Sequence, residues 1–121
     1  MMPEYKLGEI ETRFAELIWK NEPILSGVLV KLAEQELGWK KSTTYTVLRR
    51  LCDRGMFQNE GGRVTSLISR EEFDSYQSEK FVEETFCGSL PRFLAAFTMR
   101  RRLSQAEIDE LERLIEENKE G

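Results

Sequence analysis

The chain has 121 residues, a net charge of −4, and 40% hydrophobic and 33% charged residues, a composition typical of one globular domain with at most a short appendage. It contains no run of roughly 20 apolar residues that could span a membrane, and its first residues lack the pattern of a secretion signal. We therefore expect a cytoplasmic protein without membrane insertion. Histidine is absent, which excludes His-dependent catalytic triads and imidazole zinc sites. The sequence predicts no enzyme, no cofactor and no metal site.

The charge is unevenly distributed along the chain. Residues 1–70 contain 11 Lys+Arg and 9 Asp+Glu, a net of +2, whereas residues 71–121 contain 7 and 13, a net of −6. The segment 39–54 contains five basic residues and Asp53 as its one acid, a net of +4. Such a local patch can bind phosphates although the whole chain is acidic.

Two helices are predicted before the basic segment. The first spans residues 8–20, and the second spans residues 26–37, with Ser26 as its N-cap and Gly38 as its stop. The residues predicted to face the core are Ile10, Phe14, Leu17 and Ile18 in the first helix and Val28, Leu29, Leu32 and Ala33 in the second.

A third helix is predicted over residues 42–54, with Thr44, Val47, Leu48 and Leu51 as its apolar face. Its opposite face is polar and basic, as a helix in the major groove of DNA requires. Tyr45 could contact DNA or only pack. The alternative for the whole helix is an amphipathic helix with an ordinary solvated face. The candidate DNA-binding residues are Lys41, Ser42, Thr43, Tyr45, Thr46, Arg49 and Arg50.

The periodicity changes after this helix. Residues 56–60 and 63–68 are predicted as two strands joined by a Gly61–Gly62 turn. Arg63 follows the turn, where it could contact a phosphate or the minor groove, although an ordinary surface arginine is the alternative. Three helices followed by a hairpin predict a winged helix-turn-helix DNA-binding domain over residues 1–70.

Residues 71–121 are predicted to be helical, and to carry more apolar surface than about 50 residues can bury alone. The segment contains Phe73, Tyr76 and four further phenylalanines. It could pack on the N-terminal domain, but we expect it to form a homodimer, because operator-binding proteins of this size commonly span two half-sites. The predicted dimerisation residues are Phe81, Phe86, Phe93, Leu94, Phe97, Ile108, Leu111 and Ile115.

The expected fold class is therefore mainly α with a small β-hairpin: an N-terminal winged helix-turn-helix followed by C-terminal dimerisation helices. Capping boxes at Ser69–Glu72 and Ser104–Glu107 begin two of these C-terminal helices, and Pro91 suits the first turn of another. The two cysteines, Cys52 and Cys87, have no CxxC partner and are expected to be buried thiols.

Three separated segments resemble one known family. Residues 38–55 follow the pattern G-W-x-x-[ST]-T-x-x-T-x-L-x-R-L-x-x-x-G, after a first helix that ends in the pair Ile18–Trp19. Residues 88–97 are similar to G-S-L-x-x-[FL]-[LV]-x-x-F, and residues 103–111 to L-S-x-x-[ED]-[IL]-x-x-L. Because the three segments occur in the order and spacing of one family, the chain resembles the penicillinase-repressor family (BlaI/MecI, with the CopY copper repressors as relatives).

The resemblance implies a winged-helix repressor that dimerises through its C-terminal helices and binds a pseudo-palindromic operator in double-stranded DNA. It also implies a membrane sensor-protease system as a partner, which leads to cleavage at an Asn-Phe bond. The corresponding pair here is Ala96–Phe97, with alanine in place of asparagine. The copper-responsive relatives use a Cys-x-Cys pair that this sequence lacks.

The functional hypothesis is thus a sequence-specific, DNA-binding transcriptional repressor. The alternative is a winged-helix module for protein–protein contact, in which the basic face is only solvated.

Overall fold

The computed structural model describes residues 7–120; the predicted lack of a secretion signal concerns residues that lie largely outside this range. The described residues form six helices and a small antiparallel sheet, which confirms the predicted fold class of a mainly helical chain with a hairpin. The elements are α1 (Glu9–Asn21), β1 (Ile24–Leu25), α2 (Ser26–Leu37), α3 (Lys41–Asp53), β2 (Phe57–Glu60), β3 (Arg63–Ser66), α4 (Arg70–Phe86), α5 (Leu90–Thr98) and α6 (Gln105–Glu117).

The chain divides into two compact units, and the division falls between Glu79 and Lys80, within α4. The N-terminal unit contains α1 to α3, the sheet and the start of α4. The C-terminal unit contains the end of α4 together with α5 and α6. Within residues 7–120, none of the helices has the length and apolar character that a membrane span requires.

The sheet contains one strand that the sequence did not predict. Its order is β1-β3-β2, and β1 pairs Ile24 with Val64 and Leu25 with Arg63. Two residues are too few to show the alternation by which a strand is recognised. The carboxylate of Glu22 accepts hydrogen bonds from the backbone N–H (2.8 Å) and the hydroxyl (2.7 Å) of Ser66, so the chain before β1 is fastened to β3.

Trp19 lies where α1, the sheet and α4 meet in the N-terminal unit. Its indole Nε1 donates a hydrogen bond to the Ile68 carbonyl oxygen at 3.0 Å. Its ring centroid lies 5.4 Å from those of Phe57 and Phe73, and the Arg70 guanidinium carbon lies 5.8 Å from it. Phe73, which the sequence grouped with the C-terminal aromatic residues, is therefore part of the N-terminal core.

Three local predictions for α1 and α2 are wrong. Ser26 is the first residue of α2 rather than its cap; Leu25 is the N-cap, and no side chain caps this end. Val28 is exposed because the face of α2 that packs inward contains Leu29 and Ala33. Ile10, in the first turn of α1, is also exposed.

The C-terminal unit has well-formed helix ends but no core. The hydroxyl of Ser104 accepts the Glu107 N–H (3.1 Å) while the Glu107 carboxylate accepts the Ser104 N–H (3.0 Å), so this capping box is confirmed. The Ser104 N–H, and then Arg101, hold the pKa of the Glu107 carboxyl below its usual value. None of residues 80–120 is buried. Cys87 is exposed, contrary to expectation, and Cys52 is partly buried.

We predict that the indole hydrogen bond of Trp19 stabilises the N-terminal unit. Trp19→Phe leaves the Ile68 carbonyl without this donor, and should lower the free energy of unfolding by about 1–3 kcal/mol. Urea unfolding, followed by far-ultraviolet circular dichroism, measures this loss. Trp39→Phe is the matched control, because the Trp39 indole donates no hydrogen bond to any of residues 7–120. An equal loss in the control would assign the effect to ring packing alone.

Candidate nucleic-acid interface

One face of α3 is packed in the core of the N-terminal unit. Thr44, Val47, Leu48 and Leu51 are all buried, as the sequence predicted. Thr44 is tolerated there because its hydroxyl donates to the Lys40 carbonyl oxygen at 3.2 Å, as a buried polar group requires. The burial of this face leaves the other side of the helix exposed.

The start of α3 is fixed by the turn that precedes it. Gly38 ends α2 in the left-handed conformation (φ 68°), where a residue with a Cβ is disfavoured. The next residue, Trp39, packs its ring 5.0 Å from that of Phe14 in α1. Helices α2 and α3 with this short turn form the helix-turn-helix.

The exposed side of α3 contains six of the seven residues predicted there: Lys41, Ser42, Thr43, Thr46, Arg49 and Arg50. Ser42, Thr46 and Arg49 follow one another at i, i+4 and i+7, so they lie on one face of the helix. The Thr46 hydroxyl donates to the Ser42 carbonyl oxygen at 2.9 Å, which leaves its lone pairs available as acceptors. Arg49 forms no ion pair within residues 7–120.

Tyr45, the seventh residue, connects α3 to the wing. Its hydroxyl lies 3.2 Å from the Ser26 hydroxyl, to which it donates a hydrogen bond, and the Ser26 N–H donates to the Gly62 carbonyl oxygen at 2.7 Å. A chain of two hydrogen bonds therefore joins α3, the start of α2 and the hairpin turn. The Tyr45 hydroxyl is used within the domain, and its contact with DNA stays a prediction.

Arg50 is paired with α1. Its Nη1 lies 3.4 Å from Oε2 of Glu11, and Nη1 of Arg54 lies 3.9 Å from the same oxygen. Glu11 lies in the first turn of α1, where the helix dipole favours an acidic residue. The pair itself joins residues 39 positions apart, and no local pattern indicates it.

The wing is the hairpin of β2 and β3. Gly61 and Gly62 both have positive φ, 58° and 91°, as a tight hairpin turn requires. Asn59 closes this turn, since its Oδ1 accepts the Gly62 N–H at 3.0 Å. Arg63 is exposed directly after the turn, opposite Glu60 in the register of the strands.

A groove of about 310 Å³ separates the exposed part of α3 from β2; it is lined by Tyr45, Leu48, Arg49, Cys52 and Asn59. Partial burial raises the pKa of the Cys52 thiol, and the neighbouring carboxylate of Asp53 raises it further. Cys52 is therefore protonated at neutral pH and is a poor nucleophile. Arg49 is the charged side chain of this groove.

The helix ends differ in charge. Helices α1, α4 and α6 carry acidic residues in their first turn, whereas α2, α3 and α5 carry none. The N-termini of α2 and α3 also have no side-chain cap. The partial positive charge of these two helix ends is therefore not offset by a carboxylate.

The predicted dimerisation residues include an aromatic cluster in the C-terminal unit. The ring centroids of Phe81, Phe86 and Phe93 are 5.6–6.0 Å apart, and Phe97 lies 6.2 Å from Phe93. Every one of the predicted residues keeps solvent-accessible surface: Phe81, Phe97 and Ile115 are exposed, and Phe86, Phe93, Leu94, Ile108 and Leu111 are half-buried. Leu90 and Leu114, which lie in the same unit, are also exposed.

The peptide bond between Ala96 and Phe97 lies within α5, and both residues are exposed. Cleavage at this bond stays a prediction from the family resemblance.

Comparisons with a family model and with individual known proteins agree with one another. The family model described as penicillinase repressor matches residues 7–117. The chain is 27% identical to the penicillinase repressor of Bacillus licheniformis over 94% of its own length and 92% of that protein. It is 22% identical to the methicillin resistance regulatory protein MecI of Staphylococcus aureus over 92% of its own length and 94% of that protein.

A match over nearly the whole chain, together with the winged-helix order of its elements, agrees with the resemblance inferred from the sequence. The chain belongs to the penicillinase repressor family, whose members are regulatory DNA-binding proteins and not enzymes.

Proposed function

We propose that this protein is a cytoplasmic repressor that binds a pseudo-palindromic operator as a homodimer, with α3 in the major groove and Arg63 on the sugar-phosphate backbone or in the minor groove. The observation that carries the proposal is the exposed polar and basic face of α3, held beside the wing by the hydrogen bonds of Tyr45 and Ser26. A helix and a wing arranged in this way can contact adjacent grooves.

The residue types on α3 suit base recognition. Ser42 and Thr46 are short, so the helix can approach the base edges closely; the hydroxyl of Ser42 can donate or accept a hydrogen bond, and that of Thr46 can accept one. Arg49 can donate two hydrogen bonds to the O6 and N7 atoms of guanine. Lys41, Thr43 and Arg50 are proposed to contact phosphates, which fix the position of the helix without reading sequence.

The unburied C-terminal unit supports the homodimer. Leu114 is 55% exposed and Ile115 is 60% exposed, and a groove of about 430 Å³ in this unit is lined by Phe93, Phe97 and their neighbours in α5 and α6. Full burial of each such side chain contributes roughly 1.5–3 kcal/mol. A second copy of the chain offers the same apolar surface, and a two-fold pair matches a palindromic operator.

The family resemblance also predicts that a membrane sensor-protease system inactivates the repressor. The exposed Ala96–Phe97 bond is the proposed position, and α5 must unwind locally for a protease to bind it as an extended peptide.

The proposal is tested by the binding of the full-length protein to the DNA upstream of its own gene. A random-sequence duplex of equal length serves as the comparison, and both are titrated at two salt concentrations. We expect at least about a thousandfold preference for the upstream DNA, and a steep fall of affinity with salt. If the protein shows no preference for the upstream DNA and its affinity does not depend on salt, the alternative function is supported, a winged-helix module for protein–protein contact.

Arg49→Gln should weaken binding to the upstream DNA by about 1–3 kcal/mol, because it removes a bidentate base contact. Fluorescence anisotropy measures the loss. Arg13→Gln is the matched control, since Arg13 lies on α1 and its Nη2 donates to the Glu36 carbonyl oxygen at 3.4 Å. Equal affinities for the two variants would remove Arg49 from the interface.

Arg63→Ala should weaken binding to upstream and random DNA to the same extent, and should make the salt slope shallower by about one unit. This result is expected if the wing contacts the backbone, because a phosphate contact carries no sequence information. A loss restricted to the upstream DNA would show that Arg63 reads bases.

The double variant Leu114→Glu, Ile115→Glu should convert the dimer to a folded monomer, because both side chains are exposed in the single chain and carboxylates would be buried unpaired in the interface. Sedimentation equilibrium measures the change, and circular dichroism checks the fold. Leu67→Glu, which alters an exposed leucine of the N-terminal unit, should leave the dimer intact. If the wild type, the double variant and Leu67→Glu form dimers of equal stability, the interface does not include Leu114 and Ile115.

A further inference from the structure

We propose that Glu11 of α1 limits the affinity of the protein for DNA of any sequence, by pairing with the guanidinium groups of Arg50 and Arg54. The inference rests on the proposed DNA-binding function. It assigns a role to a residue of α1, an element outside the helix-turn-helix and the wing.

The geometry places one carboxylate oxygen beside two arginines. Oε2 of Glu11 is 3.4 Å from Nη1 of Arg50 and 3.9 Å from Nη1 of Arg54. The two arginines are four positions apart, one helical turn, and so lie on the same side at the end of α3. Both are consequently partly neutralised on the side that faces α1.

Glu11 is held in this position by its own helix. Its other oxygen, Oε1, accepts the Gly8 N–H at 3.3 Å, the backbone group that precedes the first turn of α1. The Glu11 side chain is 18% exposed, compared with 50% for Arg50. The carboxylate is thus held by its own helix end and sheltered from solvent, whereas the Arg50 side chain is the more exposed partner of the pair.

This arrangement distributes the positive charge of α3 unequally. Lys41 and Arg49 form no ion pair within the described part of the chain, whereas Arg50 does. Lys41 lies at the start of α3, and Arg49 shares the face of Ser42 and Thr46 that is proposed to read bases. Glu11 therefore reduces the phosphate-driven attraction of the helix end and leaves the proposed base-reading face unaffected. Because phosphate contacts carry no sequence information, this reduction applies to DNA of any sequence.

The test replaces Glu11 with glutamine in the full-length protein. Glu11→Gln removes the charge but keeps an oxygen that can accept the Gly8 N–H, so the start of α1 is preserved. The melting temperature verifies the fold. Binding of a fluorescein-labelled random-sequence duplex is measured across a salt series. We expect the affinity at low salt to rise about threefold, and the salt slope to steepen by about 0.9 for each phosphate newly contacted.

Glu9→Gln is the matched control, because it removes the same charge from the same turn of α1 while Glu9 forms no ion pair within residues 7–120. We expect it to bind the random duplex as the wild type does. The double variant Glu11→Gln, Arg50→Gln should lose most of the affinity for the random duplex that Glu11→Gln gains. The reason is that Arg50, one of the two arginines released from Glu11, is replaced by an uncharged side chain.

An unchanged affinity in Glu11→Gln, or an equal rise in Glu9→Gln, would overturn the role of Glu11. Failure of the wild-type protein to bind either the upstream DNA or the random duplex would instead overturn the proposed function, so the two failures are distinguishable.

Discussion

The burial of one face of α3 is the constraint from which the proposed interface follows. Four consecutive inward positions, from Thr44 to Leu51, fix the rotation of the helix about its axis. With that rotation fixed, Ser42, Thr46 and Arg49 must face outward. A helix of the same composition without this buried face could turn any of its sides to a ligand. The core therefore gives this set of polar residues one defined orientation, which the proposed reading of DNA requires.

The wing is held to the same core by contacts between distant parts of the chain. Glu22 fastens the end of α1 to Ser66 in β3, and Ser26 connects Tyr45 of α3 with the turn at Gly62. A Cβ built on Gly62 would meet the Ser26 hydroxyl at an ordinary 3.7 Å. The positive φ of Gly62, rather than crowding, is therefore what requires glycine there. Each of these bonds limits how far the wing can move relative to α3.

The sequence predicted those features that depend on neighbours along the chain. Helical periodicity located α1 to α3, the Gly61–Gly62 pair located the hairpin, and the Ser104–Glu107 capping box located the start of α6. The prediction failed where partners are distant: β1 exists because Ile24 pairs with Val64, and Ser26 serves the wing rather than the end of its own helix. The pair of Glu11 and Arg50 is the same kind of feature, since it depends on the packing of α1 beside α3.

The basic segment of the first half and the second half of the chain have opposite net charges, so DNA is expected to contact the first half. The net of +4 in residues 39–54 attracts phosphates, and the net of −6 in residues 71–121 repels them. The acidic residues of the second half disfavour contact between its exposed apolar helices and DNA. In the proposed homodimer this apolar surface is used for association between copies, since it would gain nothing against a polyanion. The proposed DNA-reading surface and the proposed assembly surface are thus each unsuited to the other's partner.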